Sequence, residues 1–166
     1  MNSAIRKEPV TAYIGLGSNL DDPIEQVLTA CGELKQLTES RLLACSSLYR
    51  SPPMGPADQP DYINAVAAVE TYLEPRPLLA ELQAIEQQHG RKRERRWGAR
   101  TLDMDLLIYG DRVLSDATLT LPHPGLAERA FVLYPLQQIA QSLIVPGLGS
   151  VDSLVTRCPL NGLEKI

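Results

Sequence analysis

Apolar and polar positions divide the chain into short alternating segments. The run Thr11–Gly17 (Thr-Ala-Tyr-Ile-Gly-Leu-Gly) predicts a buried first strand, ended by Gly17-Ser18-Asn19. Asp22-Pro23 predicts a helix start, with Asp22 as N-cap and Pro23 at the first helical position. Ile24, Val27, Leu28, Cys31 and Leu34 recur at helical spacing, so one face is expected to pack on a core. Leu42–Tyr49 reads as a second strand and Tyr62–Tyr72 as a third. Alternation in the third puts Tyr62 and Asn64 on one face and Ile63 and Ala65 on the other. Pro75 and Pro77 open a second helix, which carries Leu78, Leu82, Ile85 and Glu86 and ends at Gly90. Leu102–Tyr109 predicts a further strand, a turn at Gly110-Asp111 and a return strand around Val113-Leu114. Ala127–Ile139 reads as helical in part, interrupted at Pro135, and the chain beyond Pro146 is placed only loosely. Helices set between hairpin-like strands indicate an α+β fold with a mainly antiparallel sheet.

Between the second and third strands, prolines at 52, 53, 56 and 60 with Gly55 make a stiff loop, because proline fixes φ and lacks a donor. Pro122-His123-Pro124-Gly125 makes another. No internal repeat or low-complexity stretch divides the 166 residues, so residues 1–166 read as a single domain. No apolar run approaches the roughly 20 residues of a membrane span, and no apolar segment follows Met1 as in a secretory signal. Cys31, Cys45 and Cys158 form no C-x-x-C pair. A reduced, cytoplasmic protein without disulfides or a zinc site is therefore expected.

The charge is uneven. The net charge is −4, yet the segment 91–100 holds six of the sixteen basic residues and one acid, Glu94. That segment carries +5 and the remainder −9, so an anion is expected to bind there. An acidic remainder disfavours a long nucleic acid but not a nucleotide.

The sharpest chemical signal is Asp103-Met104-Asp105. On a strand these two carboxylates share one face, while Leu102, Met104, Leu106 and Ile108 fill the other. Two carboxylates at this spacing suit a pair of Mg²⁺ ions; an exposed strand face salt-bridged to the nearby arginines is the alternative. Arginine forks beside such a pair resemble the parts of phosphoryl transfer. Gly15-x-Gly17 lacks the third glycine of a dinucleotide fingerprint, and no P-loop occurs, so these glycines read as packing and turn residues. His89 reads as a surface residue before Gly90. His123, held between prolines, is either a phosphate partner or part of a structural loop. Tyr62 and Asn64 together suit a flat heterocycle, stacked by the ring and read along its edge; ordinary sheet packing is the alternative.

Six ordered motifs then carry a family resemblance over about residues 12–140. The strongest is Arg96-Trp97-Gly98-Ala99-Arg100-Thr101-Leu102-Asp103-Met104-Asp105-Leu106-Leu107. With it stand Gly17-Ser18-Asn19-Leu20, Tyr49-Arg50-Ser51-Pro52-Pro53 and Gln59-Pro60-Asp61-Tyr62-Ile63-Asn64. Ile85-Glu86 with Gly90-Arg91, and Pro122-His123-Pro124 with Arg129-Ala130-Phe131-Val132-Leu133, complete the set. The chain resembles the 6-hydroxymethyl-7,8-dihydropterin pyrophosphokinases of folate biosynthesis. Ala99 replaces the family's usual proline and Met104 its usual Leu, Ile or Val; neither change removes a functional group.

The resemblance implies a ferredoxin-like domain that moves a pyrophosphoryl group from ATP to the pterin hydroxymethyl oxygen, releasing AMP. It implies that Asp103 and Asp105 bind two Mg²⁺ ions, and that Arg91 and Arg100 act during transfer. Gln83, Glu86, Arg93, Trp97, Leu106, Thr120, His123 and Arg129 would hold ATP. The pterin would meet Ser51, Pro52, Pro53, Met54, Tyr62, Asn64, Trp97 and Phe131. A monomer with small-molecule substrates only, and no nucleic-acid or membrane partner, is expected. An ordinary kinase or nucleotidyltransferase, a nucleic-acid module and an inactive relative are the competing readings.

Overall fold

The computed structural model describes residues 5–53, 55, 58–90 and 101–166. The strand β1 (Ile5–Ser18) leads into α1 (Pro23–Glu33), β2 (Ser40–Cys45), β3 (Tyr49–Ser51) and β4 (Tyr62–Leu73). Then come α2 (Pro75–Gln88), β5 (Asp103–Tyr109), β6 (Leu114–Ser115) and β7 (Thr120–Leu121). The C-terminal part adds α3 (Ala130–Ile139), β8 (Ile144–Val145), β9 (Gly149–Ser150), α4 (Val151–Thr156) and β10 (Glu164–Lys165). The main sheet runs β10-β3-β4-β1-β5, with β2 also paired to β4, and every pairing is antiparallel. With β1 and β4 central and two helical crossovers, this is the α+β fold read from the residue pattern, in the ferredoxin-like arrangement that the family resemblance implies.

Each face of the sheet has its own apolar layer. On one, Ile14, Leu16, Ile63 and Ala65 pack with Val27 and Ala30 of α1 and with Leu78 and Leu82 of α2. On the other, Val66 and Leu107 pack with Leu133 and Leu136 of α3 and Val151 of α4. Complete burial of such an aliphatic side chain contributes roughly 1.5–3 kcal/mol, so both layers hold the sheet. Among the described residues no helix is long and apolar enough to cross a membrane.

Several elements differ from their sequence pattern for identifiable reasons. The second strand is broken in two at residues 46–48. There the Ser46 hydroxyl, rather than a backbone carbonyl, accepts the Val66 N–H at 2.9 Å. In α1, Ile24 and Leu28 are exposed, and the buried positions are Val27 and Ala30. Asp22 occupies the N-cap but its side chain makes no cap bond, because the residue is left-handed at φ 65°. In β5 the pairing shifts between Tyr13/Ile108 and Ile14/Leu106, so Leu107 is an extra residue. This bulge sends Ile108 to the α3 face, whereas Met104 and Leu106 face α1 and α2. The return strand β6 pairs with β7 rather than with β5. Helix α3 runs through Pro135 without a break. The His89 side chain is 8% exposed, its ring hydrogen-bonded to Gln26 and Glu33 of α1, so it ties the two helices together.

Candidate active site

The bulge at Leu107 separates two stretches of β5, and the stretch before it carries Asp103 and Asp105. Their shared face is the one covered by α3, at the end of the sheet where α3 begins. In register, Asp103 lies opposite Gly17 and Asp105 opposite Gly15. Gly17 in turn lies opposite Asn64, and β4 pairs Tyr62 with Ser51 of β3. Because residues i and i+2 share a face, all of these positions look onto one surface. The two glycines contribute no side chain, so they become the floor between the carboxylates and Asn64. A cavity of about 420 Å³ stands on that floor and is lined by Gly15, Gly17, Asp103, Asp105, Tyr62 and Asn64.

At the carboxylate end, Asp103 and Asp105 are half-buried. Their strand lies at the edge of the sheet, and Glu86 of α2 completes its bonding: Oε2 accepts the Met104 N–H at 2.7 Å. Glu86 is 4% exposed, so a buried carboxylate grips the backbone between the two aspartates. Opposite them, the His123 N–H donates to the Leu107 carbonyl at 2.8 Å, which docks the proline-flanked loop on the bulge. His123 Nδ1 accepts from the Gly125 N–H at 3.1 Å. Burial pushes the His123 imidazole below its ordinary range; Asp105 opposes this and Arg129 reinforces it. The ring is then neutral with its proton on Nε2, a donor at the cavity wall. Arg129 precedes α3, and a Cβ at Gly125 would stand 2.6 Å from its Nε, so only glycine lets the guanidinium lie there. Its Cζ is 5.8 Å from the centre of the Phe131 ring, a cation–π contact.

At the other end, Tyr62 and Phe131 supply two aromatic walls and Asn64 a buried amide. Asn64 Nδ2 donates to Ser51 Oγ at 2.8 Å, which fixes the amide and the start of the proline loop together. A Cβ at Gly17 would meet Asn64 Oδ1 at 3.4 Å and Tyr62 Cδ1 at 3.6 Å, so the floor is close-fitting.

The sequence-derived candidates therefore divide. Asp103, Asp105, His123, Arg129, Ser51, Pro52, Tyr62, Asn64 and Phe131 come together around this cavity. Glu86 stands behind β5, and Leu106 points into the apolar layer on the opposite face from the carboxylates. Gln83 is exposed one turn before Glu86 on α2, and Thr120 sits on β7; neither lines the cavity, nor does Pro53. Arg91, Arg93, Trp97, Arg100 and Met54 lie outside the described residues. Sequence reasoning missed the glycine floor and the space Gly125 leaves for Arg129. The available signal was the two-residue spacing of Gly15 and Gly17, which places both on the face opposite Ile14 and Leu16.

The family model for 7,8-dihydro-6-hydroxymethylpterin-pyrophosphokinase matches residues 13–141. A 2-amino-4-hydroxy-6-hydroxymethyldihydropteridine pyrophosphokinase of Haemophilus influenzae is 50% identical over 146 residues, 88% of this chain and 91% of that protein. One of the same name from Pseudomonas aeruginosa is 47% identical over 154 residues, covering 93% and 95% of the two chains. Among solved structures, wild-type Plasmodium falciparum HPPK-DHPS with pteroate superposes with a TM-score of 0.74 at 13% identity, over 95% of this chain. This chain spans 43% of that longer one, and the likeness is one of fold. By sequence, the chain belongs to the 7,8-dihydro-6-hydroxymethylpterin-pyrophosphokinase family.

Proposed function

We propose that this chain transfers the pyrophosphoryl group of ATP to the hydroxymethyl oxygen of 6-hydroxymethyl-7,8-dihydropterin, releasing AMP, as a step of folate biosynthesis. The observation that carries this reading is a cavity with two carboxylates at one end and an aromatic–amide slot at the other, joined across Gly15 and Gly17. In the reaction the alcohol oxygen bonds to the β-phosphorus of ATP and the bond from that phosphorus to the α,β-bridging oxygen breaks. AMP leaves with the bridging oxygen and its electron pair, and the hydroxyl proton passes to water.

Asp103 and Asp105 are the proposed ligands of two Mg²⁺ ions. Among the described residues no third acid, histidine or cysteine joins them in a metal-binding group. Such a two-carboxylate donor set fits Mg²⁺, which keeps positions for phosphate oxygens and water. Bound there, the ions would neutralise charge on the polyphosphate. Glu86 holds the Met104 backbone so that both aspartates keep their orientation. His123 Nε2–H and the Arg129 guanidinium are the donors for ATP, joined in this proposal by Gln83, Thr120, Arg93, Trp97 and the Leu106 backbone. Arg91 and Arg100 are assigned to charge developing on the transferred group. The pterin stacks between Tyr62 and Phe131, with Asn64, Ser51, Pro52, Pro53 and Met54 along its edge and Trp97 against it. No base is needed where positioning brings the alcohol to phosphorus.

We take residues 1–166 as one domain acting as a cytoplasmic monomer. In support of that compartment, Cys31, Cys45 and Cys158 are free thiols. The test is to incubate the protein with ATP, Mg²⁺ and the hydroxymethyl dihydropterin and identify the nucleotide product. AMP supports the proposal; ADP indicates an ordinary kinase, released pyrophosphate a nucleotidyltransferase, and no pterin-dependent turnover overturns it.

A further inference from the structure

One buried polar cluster borders the cavity without lining it. Asn19 is 1% exposed and Gln59 7%. Asn19 Nδ2 donates to Gln59 Oε1 and to the Pro60 carbonyl, each at 2.9 Å, so one amide group joins the end of β1 to the end of the proline loop. Asn19 follows the floor residue Gly17 by two positions, and Pro60 precedes the aromatic wall Tyr62 by two. The same two segments meet again where Tyr62 Cδ1 lies 3.6 Å from the Cβ position of Gly17. At its other end the loop is fixed by the bond from Asn64 to Ser51.

The amide linkage is short, buried and directional, which fixes the separation of the segments it joins more tightly than apolar packing does. A heterocycle slot is sensitive to that separation, because a stacked ring must fit between its walls to within a fraction of an ångström.

We propose that Asn19 is a positioning residue for the pterin end of the cavity, setting through Gln59 and Pro60 how Tyr62 stands over the Gly17 floor. This rests on the pterin reading of the cavity given above. The phosphate end is outside its reach, since Asp103, Asp105 and His123 are carried by β5 and by the loop before α3. Loss of the linkage therefore acts on one substrate and spares the other.

The test uses the full chain with Asn19→Leu, which keeps a side chain of similar size and removes both hydrogen bonds. With folding verified by circular dichroism, the KM for the hydroxymethyl dihydropterin is expected to rise about tenfold while that for ATP stays within about twofold. Gln59→Leu, which removes one of the two bonds from the loop side, is expected to show the same split at smaller size and serves if Asn19→Leu does not fold. An unchanged pterin KM, or pterin and ATP KM values rising together, overturns the proposal. The wild-type control separates the two layers: absence of AMP formation with the pterin refutes the function itself, whereas normal wild-type turnover with no split refutes only the role of Asn19.

Discussion

Asp103 and Asn64 lie on the same face of the sheet with only Gly17 between them. Two strand spacings put their backbones roughly 10 Å apart, with no side chain rising between. A carboxylate and a buried amide thus face one open floor, and the two proposed substrates meet above it.

Filling that floor is the simplest perturbation. Gly17→Val adds a branched side chain that must displace Asn64 Oδ1 and Tyr62, already 3.4 and 3.6 Å from the Cβ position. Pterin affinity is expected to fall by more than about tenfold while the strand itself accepts the β-branched residue. Isothermal titration with the pterin, alongside a melting curve, checks both halves. Gly17→Ala is expected to give the same effect at smaller size.

Removing the grip on β5 should show first in stability. Glu86→Ala leaves the buried Met104 N–H without the acceptor it now has at 2.7 Å. A cost of about 1–3 kcal/mol is expected from the unpaired donor alone. Urea unfolding measures it, and Glu86→Gln, which retains an oxygen acceptor, is expected to lose less.

A pH dependence follows from His123, whose imidazole is held below its ordinary 6.5 chiefly by burial. The unfolded chain binds this proton more readily than the folded one. Its contribution to stability is therefore complete above about pH 6.5 and is lost as pH falls from there toward the folded value. Urea midpoints measured without Mg²⁺ between pH 8 and 5 should show this slope in the wild type. In His123→Gln that component should vanish; an identical slope in both proteins would assign it to other groups.

Much of this was readable in the residue pattern, and the exceptions share a cause. Helix α2 announced itself through Pro75 at its start and Gly90 at its end, both local backbone effects, and Gly90 indeed has φ +75°. Tyr62 and Asn64 fell on one face because β4 alternates regularly, and the Asp103–Asp105 pair did so for the same reason. Ile108 was misplaced because the bulge at Leu107 is set by pairing with β1, which leaves no mark in β5 itself. Tertiary burial likewise decides that Leu28 is exposed and His89 is not, although both fit their helical spacing the other way. Gly15 and Gly17 could be read as packing residues until the strands beside them were known. The pairing of β10 with β3, which covers the far sheet edge, joins residues too distant in sequence for any local pattern.

The acid pair gives a direct test of the metal assignment. Asp103→Asn and Asp105→Asn are expected to lower turnover by at least about a thousandfold if they hold the proposed Mg²⁺ ions, with the fold retained. Chelation of the wild type should reproduce this, and added Mg²⁺ should restore activity to the wild type but not to the variants. Undiminished turnover in either variant would remove that aspartate from the metal site.

In the proposed reaction two phosphates move together onto the pterin. ATP labelled on its β-phosphate, incubated with Mg²⁺ and the hydroxymethyl dihydropterin, follows that transfer directly. Label is expected on the pterin product in a one-to-one ratio with AMP formed. Label retained on ADP, or released as free pyrophosphate while the pterin carries the α-phosphate, would contradict it.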